Sequence, residues 1–173
     1  MRSPLTWILD KYNYRDPLAW AQHVVPERTD QGVDYYAMKG SPIRAMGNCR
    51  ITRSTTKSGW PGGGCVQYVL TGPGSHQGEE IYVAEFVIPA VKAGQWIKKG
   101  QVIGRFSKDW RDKVGIETGY IKRGTHQPCA TNSSGVQTAA GKAFARWLRQ
   151  LGRTTLQDPG PGSTLSPCGS TVK

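Results

Sequence analysis

The sequence predicts a mainly β fold that ends in one α-helix. Its 173 residues include 22 glycines and 11 prolines, a share typical of closely spaced turns. Between residues 30 and 124, short stretches of apolar residues are separated by turn signals, at the spacing of a β-sandwich or barrel. No apolar run approaches the roughly 20 residues that a membrane span needs. These observations exclude a helical bundle, a coiled coil and a membrane-spanning protein.

Residues 1–27 are predicted to form an apolar N-terminal arm. Several aromatic and aliphatic side chains lie on either side of Pro17, which follows a suitable helix cap, Asp16. A short helix is therefore expected over 18–24. The arm would cover one end of the β core or dock on a partner. It holds no apolar stretch long enough for a secretory signal.

Residues 28–130 are predicted to form a β domain. Valine, isoleucine and aromatic residues recur there at the spacing typical of β-strands. The segment 58–64 contains four glycines and a proline and is predicted to be a loop. The strands expected from this pattern are 33–37, 43–46, 49–54, 66–70, 80–87, 91–94, 95–97, 101–106 and 115–121.

Residues 131–153 are predicted to contain the helix, over 136–151. Apolar side chains from Ala140 to Leu151 recur on one face, and Gly152 is a natural stop. Gly141 weakens the first turn. Residues 154–173 have the proline, glycine and serine content of a linker-like tail.

The four cysteines do not have the close spacing of a metal site. Cys49 could pair with Cys65 across a hairpin, and Cys129 could pair with Cys168 to hold the tail. Free buried thiols fit the sequence equally well, so the redox state stays open.

The chain is strongly basic, with a formal charge of +11. The basic residues are scattered, and neither an RNA-binding aromatic motif nor a zinc finger accompanies them, which argues against a nucleic-acid partner. A bacterial cell wall rich in anionic polymers would attract the same surface.

Two blocks of sequence carry a family resemblance. Residues 91–104 read V-K-A-G-Q-W-I-K-K-G-Q-V-I-G, and residues 30–47 contain D-Q-G-V-D and G-S-P-I-R-A-M-G. The first block resembles both lipoyl or biotinyl carrier domains and lysostaphin-like peptidases. A carrier would present a lysine at a hairpin tip, and Met38-Lys39 lies near the wrong end of the pattern for that role. The second block resembles only the peptidases, which hold zinc and cut peptidoglycan cross-bridges.

The resemblance covers residues 28–122 and implies a lysostaphin-like β-sandwich or barrel. Within that fold the chain is similar to a divergent branch in actinobacteria and their phages. The strings typical of this branch, D-Q-G-V-D, S-G-W-P-G-G, Y-V-A-E and G-I-E-T-G, stand at 30–34, 58–63, 82–85 and 115–119.

The departures from the family pattern are all at its histidines. The peptidases take zinc ligands from H-x-G-x-D and H-x-H motifs, and further histidines assist the reaction. By this resemblance Asp30, Glu85 and Glu117 stand here in place of histidines, and the aspartate of the first motif is retained as Asp34. Carboxylates alone serve zinc poorly, which argues against a zinc peptidase, whereas Ca²⁺ or Mg²⁺ accepts an all-oxygen shell. We therefore expect a groove with four acids and no required cofactor.

A first hypothesis is a glycoside hydrolase that acts on a cell-wall polysaccharide. Two carboxyl groups suffice for this reaction, and crowding raises the pKa of one of them. Glu117 and Glu85 are the candidates for acid and for base or nucleophile, with Asp34 and Asp30 orienting the substrate or tuning the pKa. Aromatic residues that could stack on sugar rings, or equally form core and rim, are Trp60, Tyr35, Tyr36 and Tyr82.

A second hypothesis is a non-catalytic wall-binding or structural module. Its acids would then bind a cation or sugar hydroxyl groups. The apolar arm and the absence of a secretory signal fit a subunit of a larger assembly, such as a phage tail, next to neighbouring subunits. Both hypotheses place the protein in a virion or at the cell envelope.

Overall fold

The computed structural model describes residues 10–129, 136–156 and Cys168. Residues 10–13 are helical at the start of the first range. The described strands are β1 (Val25–Thr29), β2 (Val33–Tyr36), β3 (Pro42–Arg44), β4 (Cys49–Thr55), β5 (Gly64–Leu70), β6 (Glu80–Glu85), β7 (Val87–Pro89), β8 (Trp96–Ile97), β9 (Val102–Phe106) and β10 (Ile116–Ile121), and the C-terminal helix α1 is Ala139–Gln150. The predicted class, mainly β with a C-terminal helix, is confirmed.

The strands form two antiparallel sheets. The larger sheet has the order β1-β2-β10-β6-β5-β4-β8, and the smaller has the order β3-β9-β7. Side chains alternate between the two faces of the larger sheet. Its core face buries residues such as Tyr35, Tyr68 and Ile116 in the main hydrophobic core. The opposite face, called the outer face below, carries Tyr82 and Glu117.

Helix α1 packs on the core side of the molecule. Phe144 and Trp147 are buried, and the Phe144 ring lies edge-on to Tyr120 of β10 with 5.0 Å between ring centroids. The helix begins at Ala139 because the Thr138 side chain caps it, accepting a hydrogen bond from a backbone N–H in the first turn. The predicted helix is confirmed in its body and is shorter than expected at its start.

The helix predicted over 18–24 is wrong. The chain turns there instead, and Trp20 and His23 have positive φ angles of 73° and 52°. A right-handed helix excludes such angles. Tyr14 and Leu18 are nevertheless buried in the main core, so the described part of the predicted arm covers the β domain.

Two strand assignments near turns also need correction. The apolar pattern does not predict strand β1, which lies at the edge of the larger sheet and pairs only with β2 among the described strands. The strand predicted over 91–94 is a turn, in which the Gln95 N–H donates to the Lys92 carbonyl at 3.2 Å and Gly94 has a φ of 91°.

The strand predicted over 80–87 is two strands in two different sheets. Strand β6 ends at Glu85, whose φ of 82° is rare for a residue with a side chain. Strand β7 begins at Val87 and belongs to the smaller sheet. The backbone therefore changes direction at Glu85, which stands at the corner between the two sheets.

One of the two disulfides that the sequence left open is present. Cys129 is bonded to Cys168 with 5.2 Å between Cα atoms, while Cys49 and Cys65 are free and buried. The start of the predicted arm and most of the predicted tail lie outside the described residues, so the domain boundaries there stay predictions. Among the described helices, none combines the length and the apolar character needed to cross a membrane.

Candidate active site

Two carboxylates lie opposite each other on neighbouring strands of the outer face. Asp34 in β2 is the register partner of Glu117 in β10. Their sequence neighbours Tyr35 and Ile116 belong to the core face, as the alternation of side chains along a strand requires. Tyr82 in β6 reaches Glu117 from the other side, so three adjacent strands converge on one point.

Asp30 joins this point from the turn between β1 and β2. Its carbonyl oxygen accepts hydrogen bonds from the backbone N–H and the hydroxyl of Thr138, at 3.0 and 2.8 Å. Since Thr138 is the N-cap of α1, the start of the helix is tied to this turn. Gly141 permits the approach, because a Cβ atom there would lie 2.0 Å from the Asp30 carbonyl oxygen. The glycine that weakens the helix therefore positions Asp30.

The three carboxylates form a compact buried group, called the acid cluster below. Asp30, Asp34 and Glu117 each bring an oxygen atom within 4.8 Å of the other two. Their exposed fractions are only 2%, 3% and 3%. Three ionised carboxylates this close and this poorly hydrated would repel one another strongly. The cluster therefore needs a counter-cation, bound protons or both.

Arg28 supplies the counter-cation. Its Nε atom lies 2.7 Å from Asp34 Oδ2 and 3.1 Å from Asp30 Oδ2. Its side chain is 36% exposed, and Glu27 lies 3.9 Å from another nitrogen of the same guanidinium. Arg28 therefore bridges two of the three acids from the solvent side of the cluster.

Burial keeps a proton on Asp34. It raises the pKa of Asp34 to about 9, with repulsion from Glu117 and Asp30 adding to the effect and Arg28 opposing it. In the ionised form, neither oxygen of Asp34 has a hydrogen-bond donor directed at it among the described residues. In the protonated form, Asp34 hydrogen-bonds to Glu117. A pKa raised this far favours the protonated form of Asp34.

Glu117 accepts hydrogen bonds from two side chains. Its Oε1 atom accepts from the Tyr82 hydroxyl and, at 2.9 Å, from the Gln31 side-chain amide. Burial raises the pKa of Glu117, and the hydrogen bonds from Tyr82, Gln31 and Asp34 offset only part of that rise. These donors stabilise the ionised form. Glu117 is thus a buried carboxyl group whose negative charge would have hydrogen-bond partners already in place.

Glu85 stands beside the acid cluster and is not one of its three members. It is half-buried, and burial followed by repulsion from Glu117 raises its pKa to about 7. A carboxyl group with a pKa near neutrality can both donate and accept a proton at physiological pH. Of the four acids predicted to share a groove, the structure brings three together and leaves the fourth as an electrostatic neighbour.

The four aromatic residues predicted to stack on sugar rings lie in different environments. Trp60 is half-buried and stacks on Tyr82, with 5.2 Å between centroids and 20° between ring planes. Tyr36 is half-buried at the end of β2. Tyr35 is fully buried on the core face, and its hydroxyl donates to the Thr154 carbonyl at 2.9 Å. Tyr35 therefore has the core position that the sequence left open beside sugar stacking, and Tyr82 is fully buried as well.

The outer face continues past Tyr82 into an open cavity of about 310 Å³. Glu80 is buried at its floor, accepting hydrogen bonds from the Thr52 hydroxyl at 2.6 Å and from the Gly124 N–H at 3.1 Å. Since Glu80 and Tyr82 are two residues apart in β6, the cavity and the acid cluster share one face. Arg123 and His126 line the cavity and are exposed.

The residues present do not fit the zinc ion that the family resemblance implies. The three cluster members offer only carboxylate oxygens, whereas zinc sites in proteins draw chiefly on histidine and cysteine. The Arg28 guanidinium already lies against two of them. The acid cluster therefore differs from a zinc site in its donor atoms and in the arginine that lies against it.

Comparison with known proteins agrees with the observed architecture. No family model matches the chain. It is 27% identical over 132 residues to the glycyl-glycine endopeptidase ALE-1 of Staphylococcus capitis, a match that covers 75% of this chain and 28% of that protein. A solution structure of lysostaphin superposes with a TM-score of 0.56 at 15% identity, over 94% of this chain and 62% of that one. The chain has the lysostaphin fold.

A second structure of lysostaphin, the antimicrobial peptidase from Staphylococcus simulans, gives the same TM-score of 0.56 at 17% identity, over 92% of this chain and 61% of that one. The present chain thus spans less than two thirds of both lysostaphin structures and 28% of the endopeptidase. The lysostaphin fold inferred from the sequence blocks is confirmed. At these identities the likeness establishes the fold, and the activity has to be argued from the site.

Two residues of the site carry no signal in the sequence. Arg28 lies two residues before Asp30, and Gln31 directly follows Asp30. A strand at residues 25–29 followed by a tight turn would have placed the Arg28 side chain near Asp30, but the pattern of β1 does not indicate a strand. Tyr82 is predicted to bind sugar, whereas it acts through its hydroxyl on Glu117.

Proposed function

We propose that the chain is a hydrolase directed at the bacterial cell wall that cleaves a glycosidic bond with its carboxyl groups. The observation that carries the proposal is the position of Glu117, which accepts hydrogen bonds from Tyr82 and Gln31, on the strand next to the one that ends at Glu85, a carboxyl group whose pKa is raised to about 7. Glycoside hydrolysis requires one carboxyl group that donates a proton and one carboxylate that acts as base or nucleophile.

In this proposal Glu85 is the general acid. It is the more accessible of the two, and its pKa near neutrality lets it hold a proton for the leaving oxygen. Glu117 is the base or nucleophile, since donors from Tyr82 and Gln31 stabilise its charge. Asp34 lowers the pKa of Glu117 by donating a hydrogen bond to it, and Asp30 anchors the β1–β2 turn.

The outer face suits an extended polymer. Trp60 at the rim offers an aromatic ring to a sugar, and the cavity beyond Tyr82 has room for a neighbouring unit. A chain of charge +11 would be drawn to the anionic polymers of a wall. The endopeptidase and lysostaphin likenesses support the wall as target, while the lack of histidines in the acid cluster argues for a different bond.

The test is release of soluble sugar from purified actinobacterial cell wall. Glu117→Gln and Glu85→Gln keep the shape of each side chain and remove its acid, so each should lower the rate by about 100-fold or more. Asp112→Asn is the control for losing one acid and should keep full activity, because Asp112 is exposed and belongs neither to the acid cluster nor to the groups that shift the pKa of Glu85. Absence of release by wild type that still sediments with the wall would overturn the proposal.

The near-complete burial of the acid cluster favours a second candidate, a non-catalytic wall-binding or structural module. In that case the acids and Arg28 hold the fold together and the rim binds the polymer. Wall binding without sugar release, unchanged in Glu117→Gln, would support it. A place in a phage tail or at the cell envelope belongs to either candidate, and detection of the protein in purified virions would test it.

A further inference from the structure

The cation of the acid cluster belongs to the chain itself. The Nε atom of Arg28 lies within 3.1 Å of one oxygen from each of Asp30 and Asp34. Glu27 lies 3.9 Å from the same guanidinium, and Glu85 also acts on its charge. Several acidic groups around the site therefore face one positive charge.

Without the Arg28 guanidinium, the acid cluster has the donor atoms of a cation site. Three buried carboxylates come within 4.8 Å of one another, a donor set that hard divalent cations prefer. When Asp34 is ionised, its Oδ1 atom is buried with no hydrogen-bond donor directed at it among the described residues, and its Oδ2 atom has the ion pair with Arg28. Buried polar atoms in this state have unused capacity for a ligand.

A divalent cation and the guanidinium compete for the same oxygens. Arg28 is fixed in β1 and stays charged at any physiological pH. An ion entering the cluster would meet this positive charge at close range and would have to displace it from Asp34.

We propose that the Arg28 guanidinium occupies the position that a metal ion would take and keeps divalent cations out of the acid cluster. Removal of Arg28 converts the cluster into a carboxylate site for one hard divalent cation. Cation binding by the acid cluster does not depend on which bond the protein cleaves. It can be measured directly, without an activity assay.

The test is a titration of the full chain with Mn²⁺, followed by electron paramagnetic resonance of the free ion. Wild type should show no saturable binding, and neither should Arg28→Lys, which retains the charge. Arg28→Ala should bind one Mn²⁺ per chain, and Arg28→Ala/Asp34→Asn should lose that binding. Arg50→Ala is the control for losing one surface arginine and should behave as wild type.

Thermal unfolding covers the case in which Arg28→Ala folds poorly. The three acids then lack a counter-cation, and Mn²⁺ should restore the melting transition by binding the folded state. Saturable binding to wild type that Asp34→Asn abolishes would overturn the proposal. So would an Arg28→Ala protein that neither binds Mn²⁺ nor is stabilised by it.

Discussion

A side chain at Gly141 would collide with the backbone of Asp30, since its Cβ atom would lie 2.0 Å from the Asp30 carbonyl oxygen. The same oxygen accepts two hydrogen bonds from Thr138, the residue that caps the helix. The start of helix α1 therefore holds the backbone of Asp30 in place. The position of Asp30 depends on a glycine more than 100 residues away in sequence.

Gly141→Ala should destabilise the protein although alanine favours helices. Helix propensity alone predicts a gain of about 1 kcal/mol. The collision with a backbone oxygen should outweigh it and leave a net loss of about 1–3 kcal/mol in the free energy of unfolding, with lower activity. Urea unfolding measures the effect, and Ala139→Gly, at an exposed position of the same turn, should cost only about 1 kcal/mol. A Gly141→Ala protein more stable than wild type would contradict this account of the contact.

Stability should fall as pH rises because of Asp34. The pKa of its carboxyl group is raised from an ordinary value of 3.8 to about 9 in the folded chain, so folded protein holds a proton that unfolded protein releases. The stabilisation is complete below the unfolded pKa and is lost progressively as pH approaches 9. Glu85, with a pKa of about 7, adds to the same trend at lower pH.

Asp34→Asn isolates this contribution. The amide cannot ionise, so the variant should lose less stability than wild type between about pH 5 and pH 8. Urea unfolding across that range measures the difference between the two slopes. Equal slopes for wild type and Asp34→Asn would show that Asp34 does not retain its proton in the folded protein.

Tyr82→Phe should raise the pKa of Glu117. The hydroxyl of Tyr82 donates to Glu117 and favours its ionised form, so removal shifts the acid limb of the pH–activity profile to higher pH. The lost hydrogen bond should also cost about 1–3 kcal/mol of stability. Tyr35→Phe is the control, because it loses a buried hydrogen bond to Thr154 on the core face. A profile that shifts equally in both variants would assign the effect to stability alone.

Removal of the Cys129–Cys168 bond should destabilise the chain. The bond joins residues 39 apart in sequence and ties Cys168 to the end of the described β domain. Its loss in Cys168→Ser should lower the free energy of unfolding by about 2–4 kcal/mol. Adding a reductant should lower the melting temperature of wild type to that of Cys168→Ser and leave the variant unchanged. An effect of reductant on the variant would implicate one of its remaining thiols, Cys49, Cys65 or the freed Cys129.

The strands that carry the site can be predicted from sequence because their apolar alternation is strong. In β10 and β6 the buried faces are continuous, and the motif residues fall at the correct positions of the outer face. The resemblance to the lysostaphin-like family implies that Asp30, Asp34, Glu85 and Glu117 share a site, and the structure groups three of them while Glu85 stands beside the cluster. For Tyr35 the sequence left sugar stacking and core packing open, and the structure shows core packing, since alternation places Asp34 and Tyr35 on opposite faces of the sheet.

The sequence does not predict contacts between segments that come together only in the folded chain, or the backbone angles that create those contacts. Strand β1 is short, half-exposed and contains a proline, so nothing in its pattern set the direction of Arg28. The break at Glu85 depends on a positive φ angle that its residue type does not favour. In sequence Gly141 is only a weakness of the helix, because the Asp30 carbonyl that explains it lies far away along the chain.

The most direct test of the account is the identity of the bond that is cut. Purified actinobacterial wall would be digested with protein freed of metal by a chelator, and the soluble products analysed by mass spectrometry. The account predicts new reducing sugar ends, no new amino termini, and loss of those products in Glu117→Gln. New amino termini in place of reducing ends, appearing only when zinc is added back, would contradict it.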